Sequence, residues 1–214
     1  MSIKTARIIA AALLAGLASS AGASLIYSNG LPNQSGGSEM NEFLEADNFS
    51  LGASTLLNTV RFWSLQTVAA DYSGTIDWSI RQNTAGIIGS VLASGLAAPA
   101  GVSTGATTLG LNEFRYEFGI SELLAAGDYF LVLHNGANGT TPAGDFYWAW
   151  ASDTGDSMNF DQPSSSPWTS NLAELAFQLE GTVTSIAVPE PSTFFLVAAA
   201  GLAAAARRRR IPAA

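Results

Sequence analysis

The chain has 214 residues, 48% of them hydrophobic and 12% charged, with a formal charge of −8, a single histidine and no cysteine. The missing cysteines exclude disulfides, thiolate metal sites and cysteine nucleophiles, and one histidine excludes multi-histidine metal centres. Nucleic acid and anionic membrane surfaces repel so acidic a chain and are poor partners for it.

At the start, Lys4 and Arg7 precede an apolar run from Ile8 to Leu17, and Ala21-Gly22-Ala23 follows as an A-x-A site. This order reads as a secretory signal peptide over 1–23, cut after Ala23 so that the mature chain begins at Ser24. The next 164 residues, 24–187, hold three arginines (Arg61, Arg81 and Arg115) against sixteen carboxylates, a net charge of −13. Cations, neutral sugars or plain colloidal solubility fit that balance.

Strict alternation dominates this middle part. In Thr55–Gln66, Val60, Phe62 and Ser64 are set against Arg61, Trp63 and Leu65. In Thr75–Gln82, Ile76, Trp78 and Ile80 share one face and Asp77, Ser79 and Arg81 the other, the period-2 signature of a strand with one dry side. Glu113–Ile120 groups Phe114, Tyr116 and Phe118, while Asp128–His134 groups Tyr129, Leu131 and Leu133. Asp145–Ala151 groups Phe146, Trp148 and Trp150, and Ala173–Thr182 groups Ala173, Leu175, Phe177 and Leu179. A short helix is expected only around Ser121–Ala126. Turn formers separate the runs: Ser73-Gly74, Gly86, Gly89, Ser94-Gly95, Pro99–Gly105, Asn135-Gly136, Asn138-Gly139, Pro142–Gly144 and Ser152–Pro167. The expectation is one all-β domain over 24–187, an antiparallel β-sandwich or jelly roll.

Few residues carry chemistry. A serine triad would have to use His134, which reads as the end of an apolar strand, and a small domain of short strands leaves little room for a glycosidase cleft. Asp153, Asp156 and Asp161 crowd one loop and could offer oxygen ligands to calcium, although the order is not that of an EF-hand; Glu45, Asp47 and Asn48 form a weaker set. Trp63, Trp78, Trp148 and Trp150 read as core. Trp168, in a Ser/Pro-rich stretch, is the ring expected at the surface and the candidate glycan contact.

The chain ends on Pro189-Glu190-Pro191, an uncharged run of 14 residues from Thr193 to Ala206, and Arg207, Arg208, Arg209 and Arg210. As a helix that run spans ~21 Å against a hydrocarbon core of ~30 Å, so it crosses only with help from snorkelling arginines or a thinned bilayer. The prolines stop the helix on one side, and the arginine cluster stays cytoplasmic, which leaves everything before Pro189 outside.

Residues 188–214 resemble the PEP-CTERM sorting signal of Gram-negative bacteria: the Pro-Glu-Pro motif, a short transmembrane helix, an arginine cluster. The resemblance implies recognition and cutting near Pro189–Pro191 by a membrane-embedded exosortase, transient residence in the inner membrane, and a role beside exopolysaccharide or biofilm systems. The domain is also similar to sequences that precede such signals, over Tyr27–Gly30, Ser38–Met40, Glu45–Phe49, Val60–Trp63, Tyr72–Ile80 and Leu124–Leu131. That group implies no reaction. The expectation is therefore a non-catalytic exported protein of the envelope or matrix, without cofactor unless calcium. A carbohydrate-binding module is the alternative, and a small hydrolase a more distant one.

Overall fold

The computed structural model describes residues 23–152, 160–163, 167–170 and 172–184, with backbone alone for 160–163. Thirteen strands lie in this portion: β1 Ser24–Ser28, β2 Pro32–Glu39, β3 Phe43–Leu51, β4 Thr55–Gln66, β5 Ile76–Thr84, β6 Ile87–Ala97, β7 Val102–Thr108, β8 Leu111–Leu124, β9 Gly127–Asn135, β10 Phe146–Ala151, β11 Phe160–Pro163, β12 Thr169–Ser170 and β13 Phe177–Val183. One 3-10 turn, Ala69–Asp71, is the single helical element among the described residues.

The strands form two antiparallel sheets. In the first, β4 is the spine: β8 lies along one side of it, with β7 beyond, while β13 and then β10 share the other side and carry β1 and β2 at their outer edges. The second runs β12-β11-β3-β9-β5-β6. Inward-facing residues of both sheets build one core. Val60, Phe62, Tyr116, Trp148 and Phe177 come from the first sheet and Phe49, Trp78, Ile80, Leu131 and Leu133 from the second. The Phe49 ring meets the edge of Phe177 across the interface at 6.5 Å, and Phe62 stacks on Tyr116 at 5.3 Å. This is the sandwich that the alternation predicts, since period-2 apolar faces can be buried only face to face.

The outer faces differ. On the first sheet, Arg61 of β4 lies between Glu117 of β8 and Glu180 of β13, 2.8 Å from each, where register places it. On the second, Leu44, Ala46, Phe130 and Val132 form a buried apolar patch.

Two expectations need correction. Ser121–Leu124 is no helix but the end of β8, where Glu122–Leu124 pair with Thr55–Leu57. Leu124 is buried and Leu123 exposed, so the partner strand and the core override local helical preference. Gly89 and Ser94-Gly95, read as turn formers, lie inside β6, Val102–Gly105 of the Pro99–Gly105 run opens β7, and Phe160–Pro163 within Ser152–Pro167 forms β11.

Three buried polar side chains fasten the loops. Asn135, with no exposure, donates from Nδ2 to Asn41 Oδ1 (2.7 Å) and to the Asp71 carbonyl (2.8 Å), while its Oδ1 accepts from Ser73 N at 3.0 Å. Asp47, equally buried, accepts from Asn29 Nδ2 (2.8 Å) and Leu175 N (2.6 Å) on Oδ2 and from Asn48 N (2.7 Å) on Oδ1. Asn29 Nδ2 also lies 2.9 Å from Glu174 Oε2. Such groups are retained in a core because each is satisfied.

Candidate functional site

A cleft of about 430 Å³ opens at one end of the first sheet, lined by Glu39, Asn41, Glu42, Phe43, Pro142, Asp145 and Tyr147 among others. Register makes it: Tyr147 pairs with Glu39 across β10 and β2, and the turn after β2 brings Glu42 to the same end. Gly37 permits the close pairing, since a Cβ there would meet the Trp148 carbonyl oxygen at 2.7 Å.

Glu39 is held as a turn acceptor, taking Asn41 N at 2.6 Å and Glu42 N at 2.9 Å. Asp145 accepts from the Thr67 hydroxyl at 2.9 Å and the Tyr147 phenol at 3.4 Å. Burial, followed by the charge of Asp145, pushes the Tyr147 phenol above its ordinary value, so it stays a neutral donor at physiological pH. A second hollow, about 290 Å³ and mostly apolar, adjoins it through the same tyrosine and is lined by Gly36, Gly37, Leu65, Leu111 and Trp150. Carboxylate acceptors at one end and an apolar wall at the other suit an amphipathic ligand with hydroxyls on its rim.

Of the residues expected to act, Ala23, Asp161 and Trp168 fall among the described residues. Trp168 is only partly exposed: it packs on the Leu44, Ala46, Phe130 and Val132 patch, with Arg81 Cζ 5.6 Å from its ring centroid. Its apolar ring covers part of a sheet face that water would otherwise meet. Trp63, Trp78 and Trp148 are buried and Trp150 is partly so, in keeping with core roles. Ala23 is exposed just before β1. Asp161 lies in β11, whereas Ala21, Asp153, Asp156, Pro189–Pro191 and Arg207–Arg210 fall outside the described residues. Among the described residues no group of three or more histidines or carboxylates is arranged to hold a metal ion.

His134 is 2% exposed, and its Nδ1 lies 3.1 Å from the Gly136 carbonyl, a contact that puts the proton on Nδ1. Gly101-Val102-Ser103-Thr104-Gly105 spells a nucleophile elbow, but Ser103 sits in the extended edge strand β7 of the other sheet, not at a strand-to-helix turn. Glu39 and Glu42 lie more than a hundred positions before Asp145, so only the β2–β10 pairing could reveal the cleft they share.

Comparison with known families places the PEP-CTERM protein-sorting motif at residues 187–210, a span that takes in Pro189, Glu190, Pro191 and the four arginines. No curated protein matches the chain. The motif marks an exported protein, sorted to the cell envelope or surface and processed by an exosortase.

Proposed function

We propose that the chain is a non-catalytic protein of the envelope or extracellular matrix, carried through the inner membrane of a Gram-negative cell behind a cleaved signal peptide and associated with exopolysaccharide or biofilm. The observation that carries this reading is the sorting motif at 187–210, which follows a disulfide-free β-sandwich. A lone buried histidine on one sheet and a serine motif on the edge of the other support the non-catalytic part. The test is fractionation with a glycosidase and esterase screen. Protein in the envelope or matrix with no turnover above background supports the reading, and turnover that is lost in His134→Ala contradicts it.

A second reading, a carbohydrate-binding module for the cell's own polysaccharide, is favoured by the joined cleft and hollow around Tyr147. Sugar rings present an apolar face and a hydroxyl rim, and Tyr147, Asp145 and Glu42 offer a counterpart to each. Polysaccharide pull-down should weaken at least tenfold in Tyr147→Ala. Loss in Trp168→Ala alone would return the contact to Trp168, and no binding by the unaltered protein would remove the reading. A calcium-dependent form of it, using Asp153, Asp156 and Asp161, requires a melting shift in millimolar calcium.

A further inference from the structure

No Asp, Glu, Lys or Arg occurs between Arg81 and Glu113, 31 residues in a domain that otherwise carries a net charge of −13. This stretch forms β6, the four-residue link 98–101 and β7. Among the described residues β6 pairs only with β5, so it is an open edge of its sheet, and β7 pairs only with β8. At about 3.4 Å per residue, the eleven residues of β6 offer ~37 Å of unpaired edge.

Edges of this kind are usually guarded by lysines, prolines or inward charges. β6 has none of these, and it exposes Ile87 (69%), Leu92 (50%) and Leu96 (56%). Its bulges lie toward the Ile87–Leu92 half, whereas Ala93–Ala97 pairs with Ile76–Ile80 without interruption. The regular half therefore presents a straight row of backbone donors and acceptors.

We propose that β6 is a self-association edge, on which a second copy of this chain adds its own β6 antiparallel, across a two-fold axis near Ala93–Ala97. Charge selects the occupant. Two copies of so acidic a domain repel one another over most of their surfaces, and the uncharged strip lets them meet without setting carboxylate against carboxylate. A basic partner would be drawn to the carboxylates and would gain nothing from this strip. Two-fold closure also caps the edge, so that pairing stops at a dimer instead of growing into a fibre.

Processed protein recovered from the producing bacterium is to be examined by analytical ultracentrifugation. A concentration-dependent dimer is expected. It should tighten when salt is raised from about 20 mM to about 500 mM, because screening removes the repulsion and the contact itself holds no ion pair. Ser94→Lys with Leu96→Lys should raise the dimer Kd at least tenfold while the melting transition is kept. Leu123→Lys, an equally exposed leucine on β8, should leave it unchanged. If the double variant fails to melt cooperatively, Leu96→Lys alone supplies the comparison. A monomer at all concentrations, a dimer indifferent to both lysines, or a dimer that salt dissociates would each overturn the proposal.

Discussion

Arg81 Cζ stands 5.6 Å from the centroid of the Trp168 ring, and the ring rests on Leu44, Ala46, Phe130 and Val132. Trp168 thus covers the outer face of a sheet whose other side is core. Trp168→Ala should cost about 2 kcal/mol, part from lost cation–π attraction and the larger part from re-exposed apolar surface. Trp168→Phe should recover more than half of it. Urea denaturation of the three proteins measures both.

The Asp47 carboxylate holds two segments together, accepting from Asn29 Nδ2 at 2.8 Å and from Leu175 N at 2.6 Å in a site with no exposure. Asp47→Ala leaves both donors without this acceptor and should cost about 3 kcal/mol, with Asn29→Ala costing less because it removes one donor and leaves Leu175 N satisfied. Equilibrium unfolding of the two variants gives the order, and equal losses would contradict it.

The strands legible in the sequence were those with large apolar residues at every second position: β4, β5, β8, β9, β10 and β13. β2 (Pro-Asn-Gln-Ser-Gly-Gly-Ser-Glu) shows no such rhythm, because its place is fixed by backbone pairing with β10 and not by apolar side chains of its own. β3 was obscured by the acidic residues Glu45 and Asp47, which are buried where the alternation expects apolar side chains. β6 and β7 were hidden by glycines, serines and alanines that read as turns; Gly95 lies inside the sheet, where a Cβ would meet the Trp78 ring at 2.9 Å. The sorting tail was legible as a linear motif, while the Tyr147 cleft depends on chain crossings that spacing does not encode.

Tyr72 carries a buried hydroxyl with no hydrogen-bond partner among the described residues, 4.8 Å from the Tyr116 ring by centroids. Burial pushes both phenols up to about 12. Tyr72→Phe should be neutral or stabilising by up to about 1 kcal/mol, since it removes a desolvated group that forms no bond. Both phenols are raised in the fold, so their stabilisation is complete below pH ~10 and is lost as pH climbs toward ~12. Alkaline titration followed by phenolate absorbance should show one fewer late-titrating tyrosine in the variant.

Burial raises the Asp77 carboxyl above its ordinary 3.8, against smaller opposing effects from Asn138 N, His134 and Arg81. A raised acid favours the fold fully below that ordinary value, and the contribution fades as pH rises through the raised one. Asp77→Asn should therefore be more stable than the unaltered protein at pH 7 and lose that advantage near pH 3. Melting temperatures across that range check the sign, and a variant that is less stable at pH 7 would contradict it.

The central claim is that an exported β-sandwich is sorted through a tail which an exosortase removes. Mass spectrometry of the C-terminal peptide on surface or extracellular protein tests it most directly. The account predicts a terminus near Pro189–Pro191, without Arg207–Arg210, and a membrane-retained full-length form when Glu190 is replaced by Ala. Arg210 found on the exported protein would contradict it.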